Sequence, residues 1–220
     1  MTKKDFLKTW KCPLPEAILK KYPAGNIIQF WAESPNLYSG VYGRTDDLGR
    51  FTAGHNGIDI KTFHRDPVRA PFDGKVYGIV ESRTSLGGVQ VYIDSPVLDD
   101  DGKKIVIMSG FAHLDEVSVK TWQDVKCGDI IGYEGNTGFV ISGNTPYWGN
   151  APVGRGTHLH WLVRELLITD SQTERKNRYT NSMGGTIDPL YYLNGDTNGN
   201  LVYLSNIGNF LRYLKLKFFK

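Results

Sequence analysis

One stretch limits the possible folds more than any other. In "GGVQVYIDSPV", Val89, Val91 and Ile93 alternate with other residues, "KKIVIMSGFAHL" follows as a second apolar run, and "LDDDG" with Asp101-Gly102 lies between them. A period of two is that of a strand with one buried face, and an Asp-Gly pair between two such runs is a strong hairpin signal. From Asn26 onward the chain keeps this texture. "NIIQFW" (26–31), "PVRAPFDGKVYGIVES" with Asp73-Gly74 inside it, "THLHWLVRELLI" and the closing "GTIDPLYYL" are short β-like runs parted by turn residues. Twenty-five glycines and 12% aromatic residues in 220 suit many turns and pleated packing surfaces. The expectation is a mainly β, compact antiparallel sheet domain.

"PEAILKKY" (15–22) predicts a short N-terminal helix, and the polar segment 170–185 reads as a loop. The chain divides into an N-terminal extension (1–25), one domain (26–193) and a C-terminal tail (194–220). That tail opens with "NGDTNGN" and closes with the basic, apolar "FLRYLKLKFFK". It is expected to dock on the domain as a terminal element; membrane or wall contact through it is the alternative. The net charge of +3 is mild and makes no case for a nucleic-acid partner. Cys12 and Cys127 form no C-x-x-C and read as free thiols, with one disulfide as the alternative. The first 25 residues hold no apolar core of a secretory signal, and no run is long enough to span a bilayer.

The five histidines are unevenly placed. His158 and His160 lie two apart in a strand-like run, so their imidazoles share one face. In "AGHNGIDIK" (53–61), His55 and Asp59 are four apart, but Gly54 and Gly57 disfavour a helix by about 1 kcal/mol each relative to Ala. A glycine turn leading into a strand fits better, with His55 on the turn and Asp59 on the strand. Two imidazoles and a carboxylate suit zinc. Three protein ligands, His55, Asp59 and His160, leave a fourth tetrahedral position for water, as in catalytic rather than structural sites. His158 stays within reach of that water, and His113, in "GFAHLDEV", is the other candidate for the pocket. His64, in "TFHRDPV", reads as a surface loop residue. The chain has no H-E-x-x-H, so a glutamate base of that kind is missing and a histidine must take the role.

With these motifs in order, "HNGID" (55–59), "FAHL" (111–114) and "HLH" (158–160), the sequence resembles the lysostaphin-type (LytM-like) zinc endopeptidases. "GHNGIDI", "VKCGDIIGYEGNTG" and "GTHLHWLV" add to the resemblance, which runs from about residue 26 to 193. It implies an antiparallel β domain with a loop-walled groove over one Zn2+ ion and its bound water. The ion would be held by His55, Asp59 and His160, with His113 and His158 as the catalytic pair. It also implies cleavage of peptide stems or cross-bridges of bacterial peptidoglycan. A catalytically inactive relative that regulates other wall hydrolases is the alternative. With no export signal in the chain, action at the cell wall points to a phage lysin made in the host cytoplasm, or to a mature fragment whose leader has been removed.

Two departures from the family pattern stand out. "FVISGNTPYWGNAPVGRG" (139–156) intervenes before "THLH" and is expected to form a groove wall bearing Tyr147 and Trp148. The tyrosine usual in the mid-domain motif is Phe111 here, which removes any help from a hydroxyl at that position.

Overall fold

The computed structural model describes residues 1–11, 13–14, 27–29, 55–149, 151–168, 175–179 and 185–193. In chain order its elements begin with α1 (Lys3–Thr9), β1 (Ile27–Gln29), β2 (Ile58–Lys61), β3 (Pro67–Arg69) and β4 (Gly74–Val80). The long pair β5 (Val89–Leu98) and β6 (Lys104–Leu114) follows, then β7 (Glu116–Val117), β8 (Asp124–Val125) and β9 (Ile130–Tyr133). The remainder are β10 (Phe139–Ser142), β11 (Thr145–Trp148), β12 (His158–Ile168), β13 (Arg175–Asn177), β14 (Thr186–Ile187) and α2 (Leu190–Leu193).

The expected hairpin is the middle of the molecule. β5 and β6 pair antiparallel from Val89↔Leu114 to Leu98↔Lys104. Their loop is closed by Asp99, whose carboxylate accepts from the backbone N–H groups of Asp101 and Lys103, while Gly102 takes a φ of +75°. On the other side of β6 runs β12, in register from His160↔Ala112 to Leu167↔Ile105. The far edge of β12 is shared by β2, β14 and β13 in turn, and the main sheet reads β1-β2-β12-β6-β5-β4-β8. β3, β9 and β7 make a second small sheet, and β10 and β11 a separate hairpin.

Alternation sorts the side chains of β12. Leu159, Trp161 and Val163 enter the main core with Val91, Ile93, Ile105, Ile107 and Phe111. Trp161 donates its indole N–H to Ser109, which explains a serine on the core face of β6. Leu162 and Leu166, on the opposite face, join a smaller cluster with Val106 and Met108. His158 and His160 therefore lie on the face away from the main core.

α1 was not foreseen. Thr2 caps it by accepting from the Asp5 N–H, and Phe6 and Trp10 carry the segment into the core against Phe72, Trp161 and Tyr192. The buried carboxylate of Glu165 ties both ends of the described chain to β12. It meets Lys3 from α1, accepts from the Tyr192 hydroxyl of α2 at 2.6 Å, and pairs with Arg178 at 3.3 Å. The helix expected at 15–22, the tail 194–220 and Cys12 lie outside the described residues; Cys127 is a free thiol. No helix among the described residues is long and apolar enough to cross a membrane.

Candidate metal and catalytic site

β2 and β12 bring the two halves of the site together. Their register sets His160 directly opposite Asp59. His55 sits just before β2 and folds back onto the same carboxylate. Three atoms converge: His160 Nδ1 lies 2.9 Å from Asp59 Oδ1, His55 Nε2 lies 3.1 Å from that oxygen, and the two ring nitrogens are 3.0 Å apart. Ligands about 2.0–2.2 Å from a tetrahedral ion are separated by nearly this much, so a cation in place of the shared protons fits among the three atoms. Among the described residues this is the group whose side chains could hold a metal ion.

The close approach of the strands explains Gly57. A Cβ there would stand 2.5 Å from the Trp161 carbonyl oxygen and 3.0 Å from the His160 ring. Only a glycine lets the turn before β2 lie flat against the ring that completes the triad.

His158 and His113 stand beside the triad. The His158 ring lies 4.7 Å from that of His113, and His113 lies 6.0 Å from His160, measured between centroids. His158 donates Nδ1–H to the Gly156 carbonyl at 2.7 Å, and His113 donates Nδ1–H to the Thr137 carbonyl at 2.8 Å. A carbonyl can only accept, so each bond keeps a proton on Nδ1, and in the neutral ring the lone pair is then on Nε2. His158 Nε2 then lies 3.6 Å from Asp59 Oδ2.

Strict alternation along β6 would send His113 to the core face with Phe111. Instead β6 bulges: Phe111 pairs Val91 and Leu114 pairs Val89, so Ala112 and His113 together oppose Gln90. His113 adopts a φ of +63°, and this irregularity turns its ring to the side of His158. Thr137 seals the bulge, its hydroxyl donating to the Leu114 carbonyl and accepting from the Val89 N–H. Gly88 and Gly138 make that seal possible, since a Cβ on Gly88 would stand 2.2 Å from the Thr137 hydroxyl and 2.4 Å from its backbone, and one on Gly138 would stand 2.2 Å from the Gly88 backbone nitrogen.

The electrostatics are those of a largely buried cluster. Burial would push the Asp59 carboxyl up, but His55 and His158 nearby, with the hydrogen bonds from His160 and His55, hold it well below the usual carboxylate range. Burial, then the neighbouring His158 and His160, pushes His113 down to about 3, against the opposing effect of its bond to Thr137. It is a neutral imidazole at any pH near 7.

All five residues singled out by the sequence thus share one pocket, and His64 does not join them. It is half-buried in the turn before β3, with Nε2 3.9 Å from the Asp115 carboxylate. Phe111 corrects an expectation. It lies in the core on the opposite face of β6, so the hydroxyl it lacks has no bearing on the pocket. The intervening segment forms the β10–β11 hairpin, with Tyr147 half-buried and Trp148 51% exposed against Phe139. Thr137 and Gly156 escaped sequence reasoning because they act through backbone carbonyls, which leave no signature beyond the glycines around them.

A family model for peptidase family M23 matches residues 53–179. Over 92 residues, 42% of this chain, the sequence is 34% identical to the glycyl-glycine endopeptidase ALE-1 of Staphylococcus capitis, of whose length it spans 23%. The catalytic domain of the antimicrobial peptidase lysostaphin from Staphylococcus simulans is similar at 22% identity and a TM-score of 0.47, over 80% of this chain and 97% of that one. A zinc-containing peptidase from Vibrio cholerae is similar at 22% identity and a TM-score of 0.46, over 80% of this chain and 39% of that one. The chain belongs to peptidase family M23.

Proposed function

We propose that the chain is a zinc-dependent endopeptidase that cleaves peptide cross-links of bacterial peptidoglycan. The observation that carries this is the pairing of a His55–Asp59–His160 triad with two imidazoles beside it that are each held through Nδ1–H by a backbone carbonyl. His55, Asp59 and His160 would hold the ion. Two nitrogens and one carboxylate oxygen are a donor set suited to zinc. When bound there, zinc supplies a Lewis acid that polarises the scissile carbonyl and makes water acidic enough to attack near pH 7. The chain's own residues do the rest. His113 and His158 orient the attacking water through their Nε2 lone pairs, and one of them takes its proton as O–C bond formation proceeds. As the C–N bond breaks, that proton passes from Nε2 to the leaving amine. The carbonyls of Thr137 and Gly156 hold both rings in place throughout, so neither spends rotational freedom during the reaction.

The substrate reading draws on family membership and on the glycyl-glycine bond named for the staphylococcal relative. The test is mass spectrometry of fragments released from purified peptidoglycan. New amine ends at a peptide bond, lost with a chelator and restored by zinc, are expected, and they identify the bond. Release that survives chelation, or no release from several wall types, sinks the proposal; the second result favours an inactive relative that regulates other hydrolases.

A further inference from the structure

The segment between β9 and β12 meets the catalytic histidines at two backbone carbonyls, and one side chain governs how it lies. Asn136 is 7% exposed, and its amide nitrogen donates to the carbonyls of Pro152 at 2.8 Å and Arg155 at 2.9 Å, with Ala151 at 3.4 Å. These acceptors belong to one turn, in which Arg155 N–H donates to the Pro152 carbonyl and Gly154 takes a φ of +79°. That is the backbone sign a type II turn requires of its third residue. Gly156 follows immediately, with a φ of +67°, and its carbonyl holds His158 Nδ1–H. Its α-carbon is packed so closely on the hairpin that a Cβ would meet Val140 at 3.0 Å and the Ile141 carbonyl at 3.2 Å. On the other side of Asn136 comes Thr137, whose carbonyl holds His113.

We infer that Asn136 is a positioning residue that sets the His158 ring by clamping the 151–155 turn, so that the 139–156 segment serves the chemistry as well as walling the pocket. The geometry leaves this turn few other restraints. Val153 is 75% exposed and Arg155 is exposed, so burial of their side chains does not fix it. A side-chain amide at 7% exposure, with its two N–H donors spent on the carbonyls of a single turn, is a hydrogen-bonded post, and losing it frees the turn that carries Gly156. His113 depends on the backbone of Thr137, which is separately anchored by its hydroxyl in the β5–β6 ladder. Removing the Asn136 amide therefore acts on His158 and spares His113.

This inference rests on the catalytic reading above, and its test is built to fail separately from it. The readout is nitrogen NMR of the histidine-labelled 220-residue chain at a pH where the imidazoles are neutral, metal-free and zinc-loaded, with kinetics alongside. In the unaltered protein His113 and His158 are expected as Nδ1–H tautomers; His158 found as Nε2–H overturns the inference whether or not any variant folds. In Asn136→Ala, His158 is expected to lose its single tautomer while His113 keeps it. Zinc stays at one per chain, and kcat falls tenfold or more with KM changed by less than about threefold, the size of loss seen when the outer partner of a site histidine is removed. Asn136→Asp keeps the volume and loses the donors, and gives the same comparison if the alanine variant does not fold. An unchanged His158 tautomer in the variants, or a rise in KM with kcat intact, shows that the segment acts only as a wall. If the unaltered protein cuts no peptide bond, the catalytic reading fails while the tautomer comparison still decides the positioning.

Discussion

His113 shows how a single residue can defeat a pattern. Its motif was readable in "FAHL", yet the period of two would have buried its ring with Phe111. What redirects it is a φ of +63°, a local strain that a non-glycine residue accepts at a cost of about 1–2 kcal/mol and that often marks functional positions. Two substitutions separate backbone from ring. His113→Gly and His113→Ala should both lose activity by at least about a hundredfold, the loss of a general acid or base. In thermal or urea unfolding the glycine variant should be the more stable by about 1 kcal/mol, because only alanine keeps a Cβ in the left-handed region. Equal stability would mean that the bulge relaxes once the ring is gone. The H-x-H pair divides differently. His158→Ala should lose most turnover and keep zinc, whereas His160→Ala should lose the metal, because of these two only His160 brings a ring nitrogen, Nδ1, to 2.9 Å from Asp59 Oδ1 and 3.0 Å from His55 Nε2. Equal zinc content in the two purified variants would refute that division.

At the scale of elements, the site is a seam between β2 and β12. The period of two in "THLHWLV" correctly put both histidines on one face, and the turn before "IDIK" correctly separated His55 from Asp59. What the sequence could not supply was the register that places His160 opposite Asp59, since pairing between segments 100 residues apart leaves no local trace. The same gap hid α1, whose seven residues owe their place to burial of Phe6 and Trp10 more than to any periodic pattern. Gly57 measures how tight the seam is. Gly57→Ala puts a methyl 2.5 Å from the Trp161 carbonyl oxygen, so β2 must draw away from β12. Overpacking of this kind costs about 1–3 kcal/mol, and here it also opens the triad. Zinc affinity, read by competition with a chelating dye, should fall at least about tenfold with the fold retained. Unchanged affinity would show that the triad tolerates a looser seam.

At the scale of the whole molecule, the buried charges set how stability depends on pH. Asp59 and its imidazoles are one such cluster; Glu134 is another, and it serves no step of the chemistry. It lies wholly buried beside Thr62, just after β2, and its backbone pairs with Arg65 and Asp66; one carboxyl oxygen accepts from Thr62 at 3.3 Å and the other has no hydrogen-bond partner among the described residues. Burial first, and the nearby Asp66, push its pKa well above the ordinary value, more than the Thr62 bond pulls it back. The folded protein thus holds Glu134 as the neutral acid while the unfolded chain ionises it near pH 4.5. A group raised on folding gives its full stabilisation below the unfolded pKa and loses it as pH rises towards the folded one. Glu134→Gln keeps a neutral group of the same shape and has no proton to lose. Its melting temperature relative to the unaltered protein should therefore be nearly the same at pH 4 and rise above it as the pH passes 4.5 and continues upward. The histidine cluster is common to both proteins and cancels in the difference. A difference that stays flat over this range would mean that Glu134 ionises in the folded state as easily as in the unfolded chain, and that the strands around it admit the water such a charge demands.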